Sequence, residues 1–209
     1  VIERLQLLIR MRDRLIKART ELSRFNQDSK RFLPPEDTKM ILAGTKLALD
    51  AITKDIKKAD DSIESIIRSD ENLFRLNRLI TSIRGVGLIT SSAIIVRTNE
   101  FKDFTEAKKF ACTAGVAPFE HTSGKSVRGR TRVSHFAHKD LKTLLHMCAV
   151  GCISRKGELR DYYDRKIAQG KNKMSVLNAI RNKIVHRAFA VVRDNVMYQK
   201  DYQYHLRMV

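Results

Sequence analysis

At 209 residues the chain can form one sizeable domain, or a domain with an extended appendage, and its 43% hydrophobic residues suffice for a core. Its 41 Lys and Arg against 23 Asp and Glu leave a net charge of +18, which points to a polyanionic partner, nucleic acid first and an anionic membrane surface second. No apolar run approaches the about 18–20 residues of a spanning helix, no signal peptide is visible, and three cysteines, Cys112, Cys148 and Cys152, give no disulfide framework. A reduced cytoplasmic core is the plain reading of those thiols. Val1 stands where an initiator Met would, so the chain is expected to be a piece of a longer protein.

Residues 1 to about 33 show helical periodicity: Ile2, Ile9 and Ile16 repeat every seven residues beside Leu8, Leu15 and Leu22. Pro34-Pro35 breaks that helix, and Glu36-Asp37 suits the negative first turn of the next. From Pro35 to about Ser82 a second long pattern runs through Leu42, Leu49, Ile56 and Ile63, with Ile52, Ala59, Ile66, Leu73 and Ile80 at the other heptad position. Asp70 and Asn77 interrupt the first row, as polar residues that fix register or partner number do. The two helices predict an antiparallel hairpin, and a coiled coil between chains fits equally. The arm over 1–78 is thus a spacer or a dimerisation device.

A second domain is expected over 79–209. It opens with an apolar helix that ends at Gly85-Val86-Gly87, after which Thr90, Ser91 and Ser92 start another. This is a helix-hairpin-helix-like pattern, in which Gly85 and Gly87 let the backbone approach a phosphate at a helix N-terminus. Phe101, Phe104, Phe110 and Ala111 read as core. Further helices are expected from about Lys139 to Ile153, around Tyr162-Tyr163, and through Leu177, Ile180, Ile184, Ala188 and Val191. Strand signals are weak apart from a short hairpin around Ser126 to Val133. The fold class is all-α: a long helical hairpin or coiled coil, then a compact helical domain.

The stretch from Gly115 to Lys139 carries the chemistry. Lys125, Arg128, Arg130, Arg132 and Lys139 stand among hydroxyls at Thr122, Ser123, Ser126, Thr131 and Ser134, with Glu120 the stretch's single acid before Asp140. One role is anion binding, in which cations, hydroxyls and backbone N–H groups hold a phosphate. The sharper role makes a hydroxyl the nucleophile on that phosphate, with guanidinium groups stabilising the charge that builds on its oxygens. His135 and His138, with His121 and His146 elsewhere, suggest zinc only in outline, because no carboxylate or thiol stands at matching spacing. Tyr162 and Tyr163 offer a tyrosine nucleophile, against packing or stacking as the plainer role.

The order of these motifs closely resembles the C-terminal transposase domain of the insertion-sequence-110 family. The Gly-Val-Gly turn comes first, then Phe101 to Pro118, then Thr122-Ser123-Gly124, then Arg128-Gly129-Arg130-Thr131-Arg132-Val133-Ser134, then the helix from Lys139. Gly170-Lys171 and Arg181-Asn182-Lys183 also fit, and the preceding helices resemble the family's central coiled coil. The resemblance implies DNA strand exchange by a nucleophilic serine in the Ser-Gly turn, which falls on Ser123, with Ser126 in reserve. Thr122 occupies the place where many relatives have a second serine. It also implies a separate ribonuclease-H-like nuclease domain with four acidic residues holding Mg²⁺, and a guide non-coding RNA. Neither the four acids nor a cofactor or metal site is expected in this chain. Where the family's pattern has Arg, this chain has Lys142, which loses the planar bidentate grip on phosphate.

The sequence therefore predicts part of a bacterial DNA transposase or site-specific recombinase, cytoplasmic and nucleoid-associated, inactive as this chain alone. The resemblance implies Ser123 as its catalytic residue, and Gly85, Gly87, Thr122, Gly124, Lys125, Arg128, Arg130, Arg132, Lys139 and Lys142 are expected to bind nucleic acid. DNA is its partner, and a homo-oligomer, dimer or tetramer, forms through the coiled coil. Two rivals remain at this stage: a non-catalytic helix-hairpin-helix module that grips nucleic acid, and a structural coiled-coil dimeriser.

Overall fold

The computed structural model describes residues 1–117, 119–123, 127–132 and 137–199. The chain divides into two compact units, Val1–Glu71 and the residues from Asn72 onward.

The first unit is built on two long helices, α1 (Ile2–Phe32) and α2 (Pro35–Ser69). Pro34 stands as N-cap and Pro35 as first residue of α2, so the locked proline φ turns the chain and starts the next helix at once. The helices pack against each other as an antiparallel pair within one chain. Ser29 of α1 faces Thr38 of α2, Asn26 faces Thr45, and Arg12 pairs with Asp60. The seam uses the predicted rows: Ile9, Ile56, Ala59 and Ile63 are buried, while Ile2, Ile16, Leu8, Leu15 and Leu22 are half-buried. Asn26 is also buried there, its amide donating to the Thr45 hydroxyl at 2.9 Å and its carbonyl oxygen lying 3.1 Å from that hydroxyl.

One expectation about this region needs correcting. The helix predicted to run from Pro35 to about Ser82 breaks at Asp70, whose φ of −117° and ψ of 120° are extended, and α3 (Glu71–Thr81) follows. The heptad row runs through the break because Ile66, Leu73 and Ile80 are all buried. Periodicity alone did not reveal it.

The second unit is helical too, with a two-stranded hairpin inserted. Its elements are α3, α4 (Leu88–Arg97), α5 (Ala107–Thr113), β1 (Phe119–Ser123), β2 (Val127–Arg132), α6 (Lys139–Ile153), α7 (Glu158–Ala168) and α8 (Lys173–Asp194). Helix α8 packs against α5, α6 and α7, and α4 against α6. Ile80, Ile94, Ile95, Phe110, Leu141, Leu145, Ile180, Ile184 and Val185 are buried. The all-α class holds. The expected hairpin around Ser126 to Val133 contains only its second strand, because the first is already formed from Phe119.

Two local devices shape this core. Asn99, Glu100 and Phe101 all have positive φ, and this left-handed turn carries Phe101 onto Phe189, with ring centroids 4.9 Å apart. Asn172 caps α8 by accepting from the backbone N–H groups of Met174 and Ser175. Among the described residues, no helix is long and apolar enough to cross a membrane.

Candidate nucleic-acid interface

The hairpin is antiparallel. Its register sets Ser123 opposite Val127, Thr122 opposite Arg128, His121 opposite Gly129 and Phe119 opposite Arg132, with an irregularity between Phe119 and His121. Ser123 is the last residue of β1, and Arg128, Arg130 and Arg132 alternate along β2. Gly124, Lys125 and Ser126, which join the strands, lie outside the described residues, as do Pro118, Val133, Ser134 and His135.

The chain on both sides of the hairpin is tied to the helical core. On entry, the Val116 and Ala117 N–H groups both donate to the Ala111 carbonyl, and the Asn178 amide of α8 donates to the Val116 carbonyl at 2.8 Å. On return, the His138 N–H donates to the Thr113 carbonyl at 3.0 Å. Departure and return are therefore held at the end of α5. Lys139, the first residue of α6, is exposed, and Lys142 one turn later is half-buried.

Two histidines flank this base, each beside an arginine. Arg97 lies 3.2 Å from His138 Nδ1 and is also paired with Asp140 at 2.5 Å. Arg181 lies 2.7 Å from His146 Nδ1. A guanidinium has only donors, so each Nδ1 is an acceptor and each imidazole is neutral. Burial lowers both pKa values, reinforced at His138 by Arg97, with Asp140 opposing, and at His146 by Arg181. Asp140 would be raised by burial, but the Arg97 charge and hydrogen bonds hold it below the ordinary carboxylate value. Nitrogens spent on guanidinium groups are not offered to zinc. Among the described residues no three His, Cys, Asp or Glu side chains gather as a metal site.

Arg181 escaped the sequence reading, which placed it with Lys183, Arg187 and Arg193 as interleaved cations of α8. It is buried, its Nε and the neighbouring Asn182 Oδ1 have no hydrogen-bond partner among the described residues, and burial lowers its pKa.

The glycine turn is sharply defined. Gly85 has φ +87°, and a Cβ there would stand 2.5 Å from Cys152 Sγ and 3.0 Å from the Cys148 carbonyl oxygen. Gly87, the N-cap of α4, has open space around it. The hydroxyls that open α4 turn inward: Thr90, Ser91 and Ser92 are buried, and Ser91 and Ser92 donate to the Leu88 carbonyl. Any anion at this turn therefore meets backbone and not those hydroxyls. Cys148 donates to Thr90 and Cys152 to the Arg84 carbonyl, and burial raises both thiol pKa values, so they pack as core groups. Tyr162 has Lys183 over its ring at 4.8 Å and Arg165 at 5.7 Å, a stacking role.

Residues 77–164 match the family model described as "Transposase IS116/IS110/IS902 family". This part of the chain is similar to that family. The segment includes the glycine turn, both strands of the hairpin, helix α6 and the first part of α7. The insertion element IS110 43.6 kDa protein of Streptomyces coelicolor is 30% identical over 59% of this chain and 30% of its own length. The pilin gene-inverting protein of Moraxella bovis is 29% identical over 69% of this chain and 45% of its own. The insertion element IS116 44.8 kDa protein of Streptomyces clavuligerus is 27% identical over 77% of this chain and 39% of its own. The chain thus spans less than half the length of these relatives, and the resemblance read from motif order is borne out.

Proposed function

We propose that this chain is the DNA-handling part of a transposase or site-specific recombinase and that Ser123 is its nucleophile. The observation that carries the reading is the family match over 77–164, which encloses the Ser123 hairpin together with Gly85, Gly87, Lys139 and Lys142. The relatives named for insertion elements and for pilin gene inversion support DNA rearrangement as the outcome.

In this scheme Ser123 Oγ attacks the phosphorus of a DNA phosphodiester. One P–Oγ bond forms and one backbone P–O bond breaks. The serine proton passes to water, and the displaced oxygen is protonated as it leaves. Lys125, Arg128, Arg130 and Arg132 neutralise the charge that grows on the phosphoryl oxygens, and Thr122 and Gly124 flank the attacking group. Lys139 and Lys142 hold neighbouring phosphates, Lys142 as a point charge where a guanidinium would fork. Gly85 and Gly87 admit a further phosphate to the backbone at the start of α4. Mg²⁺ belongs with the four acids of a nuclease domain on a longer protein, which acts in the bacterial cytoplasm on nucleoid DNA. A guide RNA would choose the target, and the helical arm would assemble a dimer or tetramer.

The test uses full-length protein and target DNA. Ser123→Ala abolishes the covalent protein–DNA adduct and leaves binding within a few-fold. An adduct that survives Ser123→Ala and disappears with Ser126→Ala moves the nucleophile to Ser126. A second reading, a non-catalytic binding module, draws on the glycine turn and the surplus of cations; it predicts salt-sensitive binding and no adduct from any variant.

A further inference from the structure

A cleft of about 400 Å³ opens between the end of α6, the start of α7, α8 and the segment after it, lined by Arg84, Lys156, Gly157, Glu158, Arg187 and Tyr198 among others. Its volume accommodates a nucleotide. Three cations and one carboxylate are among those residues, and the carboxylate is already committed. Glu158 pairs with Arg187 at 2.5 Å and accepts from the Tyr198 hydroxyl at 2.7 Å. Burial would raise its pKa, but the Tyr198 bond and Arg187 hold it below the ordinary value. Arg187 also covers the Tyr198 ring, 4.7 Å from its centroid. Arg84 and Lys156 are left, both exposed and neither with an acidic partner among the described residues.

The Arg84 guanidinium reaches the start of α7. It lies against Gly157, where a Cβ would stand 2.4 Å from Nη1. Helix α7 begins at the next residue, so the unpaired N–H groups of its first turn open beside the same point. Two uncommitted cations and a helix N-terminus thus line one cavity sized for a nucleotide.

We propose that this cleft binds one phosphodiester unit of the nucleic acid, gripped by Arg84 and Lys156. This rests on the nucleic-acid reading above and adds a contact on residues outside the hairpin. Arg84 immediately precedes Gly85, so the glycine turn and the cleft engage the strand from adjacent residues.

The test is a salt titration of binding to mixed-sequence duplex DNA and, separately, to single-stranded RNA. Lys156→Gln lowers the slope of log affinity against log salt by about 0.9 on duplex or about 0.7 on a single strand, and Arg84→Gln with Lys156→Gln lowers it by about twice that. Loss on DNA alone assigns the contact to the DNA backbone, and loss on RNA alone to the RNA backbone. Lys57→Gln, an exposed cation of α2, leaves the slope unchanged. Lys156→Gln decides the matter if the double variant unfolds, because Lys156 is a surface side chain. Wild-type binding with a steep slope that Lys156→Gln does not alter on either probe overturns this inference alone. Absence of any salt-sensitive binding by the wild-type chain overturns the nucleic-acid reading and this inference with it.

Discussion

Gly85 and Cys152 meet so closely that no side chain fits between them: a Cβ on Gly85 would stand 2.5 Å from the sulfur. The sulfur in turn donates to the carbonyl of Arg84, 2.9 Å away. This contact locks the glycine turn to the end of α6, so the backbone of the turn is fixed on one side by core packing.

The two glycines of the turn should therefore respond differently to the same substitution. Gly85→Ala places a Cβ at φ +87° and against the Cys152 sulfur. It is expected to cost about 2–4 kcal/mol, from the left-handed backbone and overpacking together. Gly87→Ala has space and a φ of −103°, so the thermal midpoint should barely move. It should nonetheless weaken nucleic-acid binding, since it covers backbone at the start of α4. Thermal melts beside a binding titration check this, and equal melting of the two variants would refute it.

The Asn26–Thr45 pair is the polar lock of the α1–α2 seam. Asn26→Ala leaves a hydroxyl half-buried with one partner fewer and should cost about 1–2 kcal/mol. Thr45→Ala should cost more, because it leaves the buried Asn26 amide without its hydroxyl partner, whereas after Asn26→Ala the Thr45 hydroxyl still donates to the Ile41 carbonyl. A double-mutant cycle by urea denaturation should give a coupling of about 0.5–1.5 kcal/mol, whereas simple additivity would mean the bond fixes geometry without stabilising it.

Much of this architecture was legible because burial follows helical spacing. The column Leu177, Ile180, Ile184, Ala188 lies in the core as its period requires, Pro34-Pro35 separates two helices and Gly85 makes a turn four residues past the end of α3, each for reasons of φ that any reader of the sequence can apply. What stayed hidden depends on partners distant in sequence. Asn26 and Arg181 are polar residues on buried faces, and only the neighbouring helix reveals that they turn inward. Strand β1 has no clear alternation of its own and is defined by pairing with β2. For the candidate site, the glycine turn and the cationic strand could be read directly. The Arg84–Lys156 cleft could not, because it joins residues more than 70 positions apart.

Stability should fall on acidification through the two histidines. Both have folded pKa values below the ordinary 6.5, so they are neutral when folded and charge more readily when unfolded. Their contribution is fully present above about pH 6.5 and is lost as pH falls below it towards the lower folded values. His146→Gln should flatten part of the fall in thermal midpoint between pH 7.5 and 5.5, and adding His138→Gln should flatten more. An unchanged pH profile in the double variant would show that other groups govern it.

The helical arm should be the self-association surface. Two helices packed side by side bury one stripe each, and large apolar side chains remain on the outside: Leu47 is 80% exposed, Phe32 71% and Met40 70%. They lie at and beyond the Pro34-Pro35 turn. Covering a leucine of this kind is worth roughly 1.5–3 kcal/mol, so Leu47→Glu should weaken self-association at least about tenfold. Because Leu47 faces outward in the hairpin, helicity should be unchanged. Sedimentation equilibrium of the chain and its variant, beside circular dichroism, measures both quantities. A variant that associates as tightly as the wild type would place the oligomer contact elsewhere.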